Sequence, residues 1–401
     1  MSKEKRLIGW VLLAAVLCVA VFSGYYRYSS GREQEREHVN VGFILIGDES
    51  TSYSANFIKA IDALGMQYGE RISVNVMSNV TDEDADHAIR ELCDMGCDIV
   101  FTNSYDYQFA AKAIAAEYPD VQFCQATGDN ANTEPVLSNY HTFMGEIYQG
   151  RYVSGLVAGL KLQEMIDRGI ITEEEAWIGH VGAYPYAEVI SGYTSFLLGV
   201  RQTCPAARMR VRYVNAWTNY ALEKRAAEDL IEEGCVIIFQ ATDTIGPAVA
   251  CESADTGRPV YNIGYNLDVI DIAPSTALTG CRIDWAPYIS GAVGAVLENR
   301  RIEDAIPGHV HGNDIGAGFE QGWVKMLQLN TAIAPEGAEE LIERSISDLA
   351  AGKAHVFRGA YFGVDPFDAS NVWDLNTEYP ENSEASAPSF NYVLKDIIII
   401  E

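Results

Sequence analysis

Basic residues are scarce in this chain of 401 residues: 28 Lys and Arg face 56 Asp and Glu, a formal net charge of −28. A surface of that sign repels nucleic acid and anionic lipid, which excludes both as partners and argues against an anionic ligand. No Cys-x-x-Cys pair occurs among the eight cysteines, which excludes a zinc ribbon or a thioredoxin-type redox site. The signatures of common catalytic sites are also missing. There is no Gly-x-Ser-x-Gly elbow, no His-Glu-x-x-His, no Walker A loop and no Gly-x-Gly-x-x-Gly. His309-Val310-His311 could present two imidazoles on one strand face, but no third ligand lies nearby in sequence, so it reads as a solvated strand end and no metal is expected. Asp82-Glu83-Asp84 opens a helix, where the helix dipole accounts for the acidity. No repeat or low-complexity tract stands out.

Long apolar runs are absent except at the N-terminus. Lys3, Lys5 and Arg6 precede an uncharged stretch from Leu7 to Tyr26, 20 residues long and ended by Arg27. That is about the length needed to cross a bilayer. No small-x-small cleavage site follows cleanly, and Tyr25, Tyr26 and Tyr28 resemble an aromatic interface anchor. An uncleaved signal anchor is the preferred reading, with the basic end inside and the rest of the chain outside the cell membrane. The alternative is a lipid on Cys18, for which Leu17 stands where a small residue is needed. Ser29 to Asn40 is polar and reads as a tether. One or two disulfides remain open, and the sequence does not pair them. Cys93 and Cys97 fall on one expected helix, and most of the cysteines read as small buried hydrophobes.

What is present is alternation. A hydrophobic content of 48% and a charged content of 21% are those of a globular chain. Strands are expected at 41–47, 72–78, 98–104, 121–127 and 142–145, with helices between them and a long helix from about Tyr148. A second series follows at 177–182, 210–215, 235–242 and 259–266. This βα alternation in two blocks predicts an α/β protein of two lobes, each a doubly wound parallel sheet. Residues 1–40 read as anchor and tether, 41–144 as lobe one with about 270–305 returning to it, and 145–269 as lobe two with part of about 306–401 packing on it. Beyond Gly359 the chain reads as an ordered but irregular wrap, closed by a strand at 396–401.

The turns at the carboxyl ends of these strands carry hydroxyls, amides, carboxylates and aromatics, and in open α/β sheets ligands sit at such ends. Six stand out: Ser52-Tyr53-Ser54, Asn103-Ser104-Tyr105, Thr127-Gly128-Asp129, Asn215-Ala216-Trp217-Thr218, Thr242-Asp243-Thr244 and Gly264-Tyr265-Asn266-Leu267-Asp268. Any single polar turn is unremarkable. Six at one edge point to a cleft that grips a small, flat, polar molecule.

The chain also resembles a known family, the basic membrane protein family of substrate-binding lipoproteins, of the purine nucleoside receptor type, which serve ABC importers. The likeness covers roughly 41–351 and rests on Asp98–Ser104, Tyr118–Phe123, Ala126-Thr127-Gly128, Gly145–Gly159, Asn215–Thr218, Ile263–Asp268 and Trp285–Tyr288. The resemblance implies a type I periplasmic-binding-protein fold, closing on a purine nucleoside or nucleobase, with an ABC permease as partner, no cofactor and a monomeric state. By the same resemblance Tyr53 is the aromatic that stacks on the base, with Ser52 beside it, and Trp217 faces it from the other lobe. Thr127 and Asp243 would line the cleft, with Ser104 added from its own strand-end turn, and Asn266 and Asp268 would hold ribose hydroxyls, Asn266 standing where the family has a carboxylate. The chain departs from the family at Glu49–Ser54, where two aspartates, a lysine and a phenylalanine are usual. The lysine expected after 277–280 is also missing, with Asp284 and Trp285 in its region. A sensor reporting to a membrane partner shares the fold and is a second reading. A nucleoside-processing enzyme would need a base–nucleophile pair or metal-binding aspartates that are not evident.

Overall fold

The computed structural model describes residues 35–400. The expected anchor, and Cys18, lie outside the described residues. Among those described, no helix is long and apolar enough to cross a membrane.

The apolar run at the start of the described chain forms β1 (Val39–Ile44), buried at five of its six positions. Then come α1 (Ser52–Tyr68), β2 (Ile72–Met77), α2 (Ala85–Asp94), β3 (Ile99–Thr102), α3 (Gln108–Glu117), β4 (Gln122–Ala126) and β5 (Tyr140–Gly145). A second series holds α4 (Tyr148–Asp167), β6 (Trp177–Gly182), α5 (Ala187–Thr203), β7 (Arg208–Tyr213), α6 (Tyr220–Glu232), β8 (Ile237–Ala241), α7 (Gly246–Glu252), β9 (Tyr261–Tyr265) and β10 (Ala277–Ile283). The chain continues through α8 (Ala286–Leu297), β11 (His309–His311), β12 (Asp314–Ala317), β13 (Val324–Met326) and α9 (Ala338–Ala350). It ends in β14 (Phe362–Val364), β15 (Val372–Asp374), β16 (Val393–Leu394) and β17 (Ile397–Ile400).

Two seven-stranded sheets result, in the orders β11-β12-β5-β4-β3-β1-β2 and β13-β10-β9-β8-β6-β7-β17. Within each, only the short edge strands β11 and β13 run antiparallel to their neighbours. The protein is a two-lobed α/β fold of the type I periplasmic-binding-protein kind. The chain passes between lobes three times: after β5, after β10, and between β12 and β13. The sequence reading returned the chain to lobe one from about residue 270. Instead β10 stays in the second sheet, paired in parallel with β9, and the return begins only after Ile283. The wrap beyond Gly359 builds a small antiparallel sheet, β15-β14-β16, before β17 joins the second sheet beside β7.

In the first lobe α8 closes the core: Tyr288 stacks on Phe143 with centroids 3.7 Å apart, and Trp285 on Phe57 at 4.5 Å. In the second, α4 and α5 meet backbone to backbone. A Cβ on Gly155 would lie 2.1 Å from the Phe196 carbonyl oxygen, and one on Gly199 2.2 Å from that of Tyr152. Only glycine permits this approach.

The seven described cysteines are all buried and free. Cys97 lies past the end of α2 rather than on it, because the helix stops at Asp94. On β11, His309 Nδ1 meets Glu146 Oε1 at 2.5 Å. Among the described residues no group of three or more His, Cys, Asp or Glu could hold a metal.

Candidate ligand-binding cleft

The turn after β1 is built for a fixed shape. Gly47 N–H donates to Ser54 Oγ at 3.1 Å, folding the turn onto the start of α1. Tyr53, in the first turn of that helix, then donates its hydroxyl to the Asn103 carbonyl after β3 at 2.6 Å. Asn103 Oδ1 in turn accepts from Ile46 N–H at 2.8 Å, while its Nδ2 is buried without a partner. The two strand ends are thus stitched together, with one amide donor left over.

These groups form the lobe-one wall of a cavity between the lobes, with Ser104, Tyr105 and Thr127 beside them. The opposite wall comes from lobe two: Trp217 after β7, Asp243 after β8, Tyr265 at the end of β9 and Glu188 in the first turn of α5. Arg151 of α4 is buried nearby. Its Nη1 donates to the Gln240 carbonyl at 2.5 Å, and its guanidinium carbon lies 3.7 Å from the Tyr265 ring centroid.

Charge in the cavity is unbalanced toward acid. Burial, with the Glu223 and Glu188 carboxylates adding repulsion, pushes the Asp243 carboxyl well above the usual range; Arg151 offsets this in part. Burial raises Glu188 to about 7, again against the pull of Arg151. Glu188 is half-buried and lines the cavity. Burial, then the Glu188 charge, also pushes the Tyr53 hydroxyl up. The described residues lining the cavity include no lysine or arginine. The walls therefore suit a neutral or cationic molecule that donates hydrogen bonds, with aromatic faces for a flat ring.

The lobes are closed over this space. Ser52 N–H and Oγ–H, at the start of α1, both donate to the Asp243 carbonyl oxygen, each at 2.9 Å. Tyr105 and Tyr186 meet across the gap with centroids 6.3 Å apart.

Of the residues singled out from the sequence, the cavity brings together Tyr53, Ser104, Thr127, Trp217 and Asp243. Ser52 is buried in the interlobe contact and is outside the cavity wall. Asn266, at φ 65°, is fully buried with both amide atoms unpartnered, and its neighbour Tyr265 lines the cavity in its place. Asp268 is exposed, and its Oδ1 accepts from Ile270 N–H at 2.9 Å. That carboxylate caps its own turn rather than facing the cleft. Trp285 is buried in the first core; its ring meets that of Tyr53 edge-on at 6.1 Å. It supports the cavity aromatic from behind.

Sequence reasoning passed over Glu188. The turn after β6, with Tyr184, Pro185 and Tyr186, carries the same mixture of aromatics and acid as the six turns named, and it belonged with them. Tyr184 and Tyr186 both pack against Trp217, at 5.5 and 6.2 Å.

Comparison with known proteins agrees with this architecture. The sequence model of PnrA-like ABC transporter substrate-binding proteins matches residues 40–349. The chain is 28% identical over 345 residues to a purine-binding protein of Brucella abortus, covering 86% of this chain and 89% of that one. It is 28% identical over 327 residues to a putative ABC transporter glucose-binding protein of Haloferax volcanii, covering 81% and 77%. The structure of an ABC transporter solute-binding protein from Aeropyrum pernix superposes with a TM-score of 0.64 at 16% identity, covering 83% of this chain and 95% of that one. A match over 310 of the described residues, on two sheets closed around a polar cavity, assigns the chain to the PnrA-like family of substrate-binding proteins of ABC transporters.

Proposed function

We propose that this protein captures a purine nucleobase or nucleoside outside the cytoplasm and presents it to an ABC permease. The observation that carries the reading is the interlobe cavity itself, in which Tyr53 and Trp217 offer faces to a flat ring while Asp243, Glu188, Asn103 and Thr127 ring it with polar groups. A purine edge carries both donors and acceptors, and carboxyl groups that hold or release a proton can answer either. The Brucella relative, named a purine-binding protein, supports the choice of ligand. The N-terminal apolar segment would tether the receptor, as a monomer, to the outer face of the membrane. On this reading the ligand is released chemically unchanged.

Titration calorimetry with adenine, hypoxanthine, adenosine, inosine and glucose tests this. One purine should bind at one site per chain and be recovered unchanged by mass spectrometry. Binding of glucose with no purine bound, or conversion of a bound purine, refutes the reading.

A further inference from the structure

A separate pocket opens at the amino ends of the lobe-one strands, whereas the interlobe cavity takes its wall from their carboxyl ends. Gln122 begins β4, His141 is the second residue of β5, Asn313 directly precedes β12, and Arg36 stands three residues before β1. Arg300 and Arg301, just past the end of α8, complete the wall. Acidic residues outnumber basic ones two to one in this chain, and the overall charge argues against an anionic ligand. This wall is the local exception. Its described residues include three arginines and a histidine and no aspartate or glutamate.

Each arginine is paired with an acid outside the wall, and each has donors left over. Arg36 Nη1 donates to Asp98 Oδ1, whose other oxygen accepts from Asn40 N–H at 2.8 Å. Arg300 Nη1 donates to Glu298 Oε2 at 3.0 Å, and its Nη2 to the Asp304 carbonyl at 2.9 Å. Arg301 Nε donates to Glu303 Oε2 at 2.8 Å, and its Nη2 lies 3.1 Å from both the Gly312 carbonyl and Asn313 Oδ1. The buried Glu303 also meets His141 Nδ1, so one carboxylate serves two partners. Arg36 Nε and Nη2, Arg300 Nε and Arg301 Nη1 have no acceptor among the described residues. Carbonyls at the end of α8 are already taken: Leu297 accepts from Arg36 N–H at 2.7 Å and Ala295 from Arg300 N–H at 2.8 Å. The pocket therefore presents N–H donors with little to receive them.

We propose that this pocket is an anion site that takes a small, soluble phosphate-type oxyanion on the arginines of its wall. A guanidinium is a planar fork of five donors, so one that holds an acid along one edge can hold a second oxyanion along another. Ser138 and Asn299, also in the wall, add a hydroxyl and an amide that can donate to the same group. The rest of the surface, with a net charge of −28 over the chain, repels an anionic bilayer, which favours a free anion over a lipid headgroup. The site lies away from the cleft, and the inference does not rest on the purine reading.

The test is a thermal-shift titration of the full-length protein with inorganic phosphate and with glycerol 3-phosphate, against chloride at matched ionic strength. An anion that binds only the folded state raises the melting temperature with its concentration. Wild type should show a saturable rise that chloride does not give. Arg36→Gln combined with Arg300→Gln should need at least fivefold more phosphate for the same rise. These side chains are 39% and 51% exposed, so their loss opens no core cavity, and the melting temperature in chloride checks that the variant folds. Arg225→Gln, which removes an arginine paired with Asp229 in lobe two, should titrate as wild type does. No rise beyond that in chloride, an equal rise in the double variant, or an equal loss in Arg225→Gln overturns the site. Binding to phosphatidylglycerol vesicles with no response to either soluble phosphate also overturns it, by assigning the wall to a lipid surface.

Discussion

Ser52 gives the sharpest handle on lobe closure. Its N–H and Oγ–H both end on the Asp243 carbonyl, so one residue of lobe one makes two hydrogen bonds to the backbone of lobe two. Ser52→Ala removes one donor and leaves the carbonyl satisfied by the other. The loss is then one net hydrogen bond, about 1 kcal/mol. Ser52→Pro removes both. Ser52 is the first residue of α1, where a proline is tolerated because that N–H has no intrahelical partner. The preceding Thr51 is already extended, at φ −104° and ψ 136°, as a residue before proline must be. The helix should survive while the latch does not, and the buried carbonyl is left unpaired at a cost of about 1–3 kcal/mol. Where binding requires the closed form, apparent affinity falls with the closed fraction. Ser52→Ala should therefore weaken ligand binding about fivefold and Ser52→Pro at least tenfold, at roughly 1.4 kcal/mol per decade. Calorimetry gives the affinities, and small-angle scattering should show the proline variant more extended without ligand. Wild-type affinity and wild-type dimensions in Ser52→Pro would refute the reasoning.

Replacing Tyr53 or Trp217 with alanine should each cost about 1–3 kcal/mol of purine affinity, by analogy with base stacking on aromatics, and unchanged titration curves in both would remove the stacking claim. Glu188 holds its proton to about pH 7 in the folded protein against an ordinary value of 4.5. The folded state therefore binds more protons between those values, and this residue's contribution to stability falls as pH rises from about 4.5 through 7. Urea midpoints should decline across that window less steeply in Glu188→Gln, and identical slopes would count against the assignment. Gly155→Ala should destabilise lobe two by roughly 1–3 kcal/mol through forced separation of α4 and α5. Gly192→Ala on the same α5 should be tolerated, its Cβ meeting nothing nearer than Arg151 Nε at 3.9 Å. Equal melting temperatures for the two variants would contradict the close-packing account.

The order of strands and helices was legible because each βα unit carries its own signature: an apolar run, a polar turn, then helical spacing. Trp177–Gly182 falls at its expected bounds. Which lobe a strand joins is another matter. Nothing local in β10 says that it pairs with β9, since that choice is made by the neighbours it buries against. The cavity wall was legible where a short turn carries its aromatic or carboxyl within a few residues of a strand end, as with Trp217 and Asp243. It was not legible at Asp268, because Asn266 adopts φ 65° and the turn closes on its own carboxylate. Trp285 shows the same limit: an aromatic at a strand end reads alike whether it faces ligand or core, and only the packing of α8 on α1 decides.

The three passages of chain between lobes also dictate an order of events during synthesis. The first sheet lacks β11 and β12 until residue 317 has been made, by which time β6 to β10 of the second lobe already exist. The N-terminal lobe thus cannot finish ahead of its partner, as a contiguous domain would. Long-range pairings such as Asp314 with Thr142 must wait for distant sequence and slow the whole chain. A polypeptide bound for the far side of a membrane gains from that delay, because it stays threadable until nearly all of it has emerged.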